Sequence, residues 1–302
     1  TMMALRMARS YTGKTKVIKF EEHFHGWHDY ARAHLSGAGG IPQETARTMI
    51  TLPPNDISVV EKTLKENDDV AAIILEPTGA HMGSAPILPS FLAELREVTQ
   101  RYGVVLIFDE VVTGFRTSRG GAQAFYGITP DMTVVAKCIS NGYPMGAVVG
   151  KREFMEPAAD MFISSSYWSD NIGLTASITT IRELKRRNSP ARFKEIGENI
   201  RAALKDAIDD VGISADVVGL FKSPALTINL PDESLRPKVM TLFIQEMAKR
   251  GVHTSGGFMA TLAHTDEDIR ITADAAREAL EVVRDGLEGG LDELLEAKER
   301  RE

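Results

Sequence analysis

The stretch "VVLIFDEVVTGFR", residues 104–116, decides how the chain is read. Val104 to Phe108 form an unbroken apolar run that ends on two acids, Asp109 and Glu110, with Gly114 and Arg116 close behind. A short apolar run bounded in this way reads as a buried strand. A carboxylate at the tip of a buried strand calls for a positive partner. Two chemistries supply one: the magnesium ion of an ATPase, or the protonated ring nitrogen of a bound cofactor.

Outward from this stretch, short apolar runs alternate with amphipathic ones. "KVIKF" (16–20), "AAIILEP" (71–77), "MTVVAK" (132–137), "GAVVG" (146–150) and "MFISSS" (161–166) read as strands beside 104–108. "ISVVEKTLKEN" carries Ile57, Val60 and Leu64 at helical spacing, and "PSFLAELREVTQRYG" opens on Pro89 and closes on Gly103, the expected helix asymmetry. Apolar strands alternating with helices predict an α/β fold, its mainly parallel central sheet covered by helices on both faces. "KRRNSP" (185–190) reads as a polar break. Beyond it come a long amphipathic helix, the strand-like "ALTINL" (225–230), a helix at 237–250 and a last helix with Ala276, Leu280, Val283 and Leu287 in phase. The expected division is a large domain over 1–188 and a smaller α+β C-terminal domain over 189–302, ending in the charged "LLEAKERRE".

Bulk properties narrow the function. The chain has 302 residues, 43% hydrophobic and 25% charged, which is ordinary globular composition. A net charge of −7 argues against nucleic acid or an anionic membrane as partner. No apolar run approaches the roughly 20 residues of a membrane span, and no signal peptide is visible. One cysteine, Cys138, rules out an internal disulfide framework and points to a reducing, cytoplasmic location.

The ATPase requires a phosphate loop, and "TGKT" (12–15) is the candidate. The first glycine of that motif would fall at position 8, which is Ala8, and the preceding "TMMALRMARSY" reads as helix where the loop needs a strand. Gly13 is instead expected to cap a helix in the left-handed conformation. The cofactor alternative finds its second half at Lys137, which closes the apolar strand "TVVA". Asp109 and Lys137 would then both stand at the carboxyl ends of parallel strands, where open α/β sheets bind ligands. A lysine that forms a Schiff base and a carboxylate that keeps a pyridine nitrogen protonated are the two requirements of pyridoxal phosphate (PLP).

"LIFDEVVTGFR" followed by "PDMTVVAKCISNGYPMGAVVG" resembles the signature of the class III, ω-type PLP-dependent aminotransferases. "KFEEHFHGWHD", "IILEPTGAHMG" and "LAHTDEDIRITADAAREAL" are similar to other segments of that family, so the likeness spans nearly the whole chain. Within it, the glutamate-1-semialdehyde 2,1-aminomutase-like members are the nearest in pattern. The resemblance implies PLP fold type I (aspartate aminotransferase-like), and transfer of an amino group from a small-molecule donor to a carbonyl acceptor. It implies that Lys137 is the Schiff-base lysine and acid–base catalyst, and that Asp109 pairs with the pyridinium nitrogen. Phe24 would stack on the cofactor ring, Val111 would pack on its other face, and His25 would shape the loop beneath it. His81 would reach the cofactor's 3-oxygen or the substrate, or else serve a structural end. His23, His25 and His28 cluster in sequence, with His23 and His25 on one face if the segment is extended, but they lack the further ligands of a metal site.

The resemblance also implies a homodimer with shared active sites, in which Ser166 (or Ser165, one register away) contacts the neighbouring subunit's phosphate. The family's phosphate-cradling Ser-Gly-Thr-Glu-Ala turn would precede Thr1, so the chain is expected to begin within the family's fold. A glutamate that the aminomutases carry falls near Gly256, and the aminomutases' carboxylate-binding arginine would lie before Thr1. Both departures favour intermolecular transamination over the aminomutase reaction. The rival from another class is a catalytically impaired paralogue with a binding or structural role.

Overall fold

A computed structural model describes residues 1–35 and 37–296. The charged end at 297–302 lies outside the described residues. The chain divides into two compact units, Thr1–Pro190 and Ala191–Glu302.

The first unit is built on a six-stranded sheet. Its strands are β1 (Lys16–Phe20), β2 (Met49–Leu52), β3 (Val70–Leu75), β4 (Val105–Asp109), β5 (Met132–Val135) and β6 (Ala147–Gly150), in the order β2-β1-β3-β4-β5-β6. Every neighbouring pair is parallel except β5 with β6, which is antiparallel. The apolar runs are continuous because both faces are buried. Ile18, Ile73, Leu75, Leu106 and Phe108 pack on one side with helices α2 (Ile57–Glu66) and α3 (Pro89–Tyr102). The alternate residues Val17, Ala72, Ile74, Val105 and Ile107 pack on the other with α1 (Met2–Thr12).

Helix ends follow the local chemistry. Gly13, at φ +68°, ends α1 with its N–H on the Arg9 carbonyl. "TGKT" is therefore a helix exit, as the sequence predicts, and no phosphate loop leaves a strand there. Asp56 caps α2 by accepting from the Ser58 and Val59 amides. Asp131 pins β4 to β5: it accepts from the Leu106 amide at 2.9 Å, Arg96 at 3.0 Å and Lys151 at 2.8 Å. Burial pushes its carboxyl up, but these bonds outweigh burial and hold it below the usual range.

Two expectations are corrected here. "MFISSS" forms no strand; residues 162–165 are irregular and Ser166 opens a turn. The sheet ends instead at β6, which pairs only with β5. The polar break at 185–190 is also shorter than expected. Helix α4 (Gly121–Tyr126) and the unforeseen α5 (Asn171–Arg186) precede it, and α6 (Ser189–Val211) starts with Pro190 in its first turn. Proline is tolerated there because that N–H has no helical acceptor.

The second unit packs α6, α7 (Arg236–Lys249) and α8 (Asp266–Glu288) against an antiparallel pair, β7 (Ala215–Val218) and β8 (Ala225–Ile228). Thr265 and Asp268 form a capping box at the start of α8. No helix among the described residues is long and apolar enough to cross a membrane.

Candidate active site

Asp109 is the last residue of β4, 4% exposed, and stands opposite Val134 in β5. The next link of the ladder runs from the Glu110 amide to the Val134 carbonyl at 2.8 Å. β5 ends one residue later, at Val135, and Lys137 follows after Ala136. The two residues therefore leave the carboxyl ends of adjacent parallel strands, which lie about 5 Å apart. Lys137 is exposed and adopts φ +47°, in the left-handed region that costs a lysine on the order of 1 kcal/mol. The Ser140 and Asn141 amides hold this strained turn by donating to the Lys137 carbonyl at 3.3 and 3.2 Å.

Each oxygen of Asp109 has one protein donor. His25 Nδ1 donates to Oδ2 at 2.8 Å, and the Val111 amide donates to Oδ1 at 3.1 Å. Because the carboxylate can only accept, His25 carries its proton on Nδ1. Its Nε2, also buried, has no partner. A carboxylate offers about four lone-pair sites, so Asp109 retains capacity for a further donor.

The loop after β1 is clasped to the end of β3. The Phe24 amide donates to Glu76 Oε1 at 2.9 Å, and the Glu76 amide donates back to His23 Nδ1 at 2.9 Å. Burial foremost, with the neighbouring His25, holds His23 neutral and lowers its pKa to about 3. His23 and His25 are both buried, but they lie in an irregular segment rather than a strand and serve different partners, with ring centroids 6.0 Å apart. The clasp leaves the Phe24 ring 54% exposed, unlike the core phenylalanines. Val111 is half-buried and packs against the sheet face formed by Val105 and Ile107.

The second acid of the pair has a different task. Glu110 is buried and takes the Ala122 amide, the Gln123 amide at 3.1 Å and the Thr113 hydroxyl at 3.0 Å, so it caps the start of α4. Burial raises its pKa despite these donors. Arg116 is hydrogen-bonded to the Cys138 thiol beside Lys137, and burial pushes that thiol up.

His81 is found at the surface. Its Nε2 lies 3.2 Å from Glu22 Oε2, with both side chains largely exposed, and both residues have positive φ. No bond to Asp109 or Lys137 is seen for it. Ser166 and Ser165 are exposed in an irregular segment flanked by bare aromatics: Phe162 is 89%, Tyr167 83% and Trp168 66% exposed. What the residue pattern missed is the His25–Asp109 bond and the Glu76 clasp. Their partners are 84 and about 50 residues apart, and only the strand order brings them together.

A family model described as "Aminotransferase class-III" matches residues 1–283. Glutamate-1-semialdehyde 2,1-aminomutase 2 of Brevibacillus brevis is 36% identical over 304 aligned positions, covering 93% of this chain and 71% of that protein. 3-Aminobutyryl-CoA aminotransferase of Cloacimonas acidaminovorans is 34% identical, covering 94% and 69%. Among solved structures, an omega-transaminase from Sphaerobacter thermophilus superposes with a TM-score of 0.85 at 27% identity, over 94% of this chain and 72% of that one.

Proposed function

Since the chain belongs to the class-III aminotransferase family, we propose that Lys137 and Asp109 form the centre of its amino-transfer site. The activity is pyridoxal-phosphate-dependent transfer of an amino group, and the fold is that of the type I PLP enzymes. The observation that carries the assignment is Asp109. It is a dry carboxylate, oriented by two N–H donors and with lone pairs to spare, at the carboxyl end of a central strand, beside the strand after which Lys137 emerges. A protonated pyridine nitrogen matches that anion, and an exposed lysine amine matches the need for covalent attachment.

When bound, the cofactor supplies an electron sink for the carbon that loses its proton. Asp109 would hold a proton on the ring nitrogen. His25 fixes the rotation of the Asp109 carboxylate. Phe24 and Val111 would supply the apolar contacts to the ring, and burial of Asp109 and His25 keeps water from the carboxylate. Lys137 Nζ would hold the cofactor covalently and would serve as the base and acid that moves a proton at the substrate carbon. His81, exposed and paired with Glu22, would reach the cofactor's 3-oxygen or the substrate, or else serve a structural end.

The working form is read as a homodimer. The exposed Phe162, Tyr167 and Trp168, with Ile172 and Ile178 on α5, make an apolar surface of the kind that marks an interface. Ser166 lies within it and would reach the partner's phosphate. Intermolecular transfer is favoured over the aminomutase reaction, because the glutamate that the aminomutases carry would fall near Gly256, a position whose φ of +96° suits glycine. The lone, half-buried Cys138 fits a cytosolic enzyme. Lys137→Ala tests the centre directly: the visible absorbance of lysine-bound cofactor should vanish, and its persistence would remove Lys137 from the role. Titration with amino donors, glutamate-1-semialdehyde and 4,5-diaminovalerate among them, would identify the donor by loss of that absorbance.

A further inference from the structure

Lys19 lies near the end of β1, yet its side chain is fully buried. Burying an ammonium is costly unless its donors are satisfied. Nζ donates to the carbonyls of Ala31 at 2.8 Å and Ala33 at 2.5 Å. These carbonyls end the short helical turn Asp29–Arg32, where backbone acceptors lack helical donors and a cation is favoured. Burial, with the charge of Arg32, holds the Lys19 pKa down to about 8, so the ammonium is kept there at a cost.

The placement supplies a reason. Lys19 points to the same sheet face as Val17, the face on which Ala33 is buried. The chain between Lys19 and those carbonyls carries His23, Phe24 and His25. Its near end continues the ladder, with the Glu21 amide on the Leu52 carbonyl at 3.0 Å. Its middle is held by Glu76 and Asp109. Its far end is held by Lys19.

We propose that Lys19 is a positioning residue for the cofactor face: its ammonium fixes the far end of the 21–33 loop and so sets where Phe24 and His25 stand relative to Asp109. The proposal rests on the roles given above to Phe24 and His25. Lys19 itself touches neither cofactor nor substrate.

Hydrogen exchange, cofactor titration and visible circular dichroism of the holoenzyme test it. Lys19→Met, which keeps the length and apolar stem but loses the donors, should raise exchange over 21–33 and leave α3 protected. It should weaken cofactor binding about tenfold, as part of the loss of two charged hydrogen bonds falls on the cofactor face, and reduce the dichroism per bound cofactor. Lys19→Gln retains a neutral donor and should fall between wild type and Lys19→Met; it carries the test if the methionine variant does not fold. Leu92→Ala, a core deletion on the opposite sheet face, controls for lost stability and should leave the dichroism per bound cofactor unchanged. Wild-type affinity and dichroism in both Lys19 variants would overturn the proposal, as would an exchange increase spread equally over α3. Failure of the wider reading looks different: wild type itself would take up no cofactor, and exchange over 21–33 in Lys19→Met would still decide whether the tie exists.

Discussion

Asp109→Asn is the substitution whose cost the structure defines best. Both carboxylate oxygens accept from N–H groups, His25 Nδ1 on one and the Val111 amide on the other. An asparagine offers one oxygen and one NH2, so either orientation sets a donor against a donor. The Val111 amide cannot change. His25 can, by moving its proton to Nε2 and accepting on Nδ1. Nε2 has no partner in either case, so the change exchanges an unpaired acceptor for an unpaired N–H. The charge-assisted bond from His25 also becomes a neutral one, and the first unit should lose about 1–2 kcal/mol of stability. The cofactor should lose its charged partner as well, another ~2 kcal/mol, or about thirtyfold in affinity. Thermal unfolding and cofactor titration of the same samples measure both. The decisive variant is the double substitution. His25→Phe alone strands an oxygen of the buried carboxylate, whereas in Asp109→Asn it removes only a neutral bond to the NH2, so it should cost less in that background. The two changes must therefore be non-additive by about 1 kcal/mol or more. Simple additivity, or an Asp109→Asn protein with wild-type stability and cofactor affinity, would refute the reasoning.

Other consequences follow from single contacts. His23 is held neutral with a pKa near 3, against 6.5 in an unfolded chain. Acidification through that window protonates the unfolded state first, so stability present above pH 6.5 is lost as pH falls, by up to roughly 5 kcal/mol. His23→Asn keeps an acceptor for the Glu76 amide without titrating, and its melting temperature should be flatter between pH 6.5 and 4. Gly197→Ala would place a Cβ 1.6 Å from the Phe221 carbonyl oxygen inside the second unit. That overlap should cost about 3 kcal/mol or more and lower the unit's melting transition; an unchanged transition would show that α6 does not pack so closely. Ile178→Glu puts a charge on the exposed apolar face of α5 and should shift sedimentation from dimer to monomer, with no change expected if that face meets only solvent.

The sheet was legible because its strands are buried on both faces. Continuous runs such as Val70–Leu75 leave few alternatives, and helices with a proline at one end and a glycine at the other, as in α3, carry their own boundaries. The short edge strand β2 was not legible. Met49–Leu52 is only half-buried along its length, and nothing in four residues distinguishes it from a loop. "MFISSS" erred the other way: β-branched and aromatic residues suggested a strand, but strand formation needs a partner, and β6 already closes the sheet. Helix α5 escaped notice because its apolar residues, Ile172, Leu174, Ile178 and Ile181, face outward rather than into a core. At the site, Lys137 and Asp109 could be placed at neighbouring strand ends from order alone. The partners that orient them could not, since the bond from His25 to Asp109 depends on which strands become neighbours.

The acid pair at the tip of β4 shows why a motif should be divided by pleat before it is assigned chemistry. Along this strand, Val105 and Ile107 face the α1 side and Leu106 and Phe108 the other. Continuing that alternation sends Asp109 and Glu110 in opposite directions. Asp109 meets His25 and stays available to a ligand; Glu110 meets the amides of Ala122 and Gln123 and is consumed by them. The glycine that starts α4 follows from the second role. Gly121 has φ +72°, and a Cβ there would lie 2.2 Å from Glu110 Oε2. So the apolar run, Glu110 and Gly121 form scaffold, while Asp109, held by His25 and the Val111 amide, keeps lone pairs for a ligand. The expected signature is a difference between neighbours. Glu110→Gln should act on stability, because its NH2 would face amide donors, and should change cofactor affinity only as far as unfolding does. Asp109→Asn should change affinity even at temperatures where the protein is fully folded. Equal behaviour of the two substitutions in a folded-state titration would mean that the pleat does not separate their tasks.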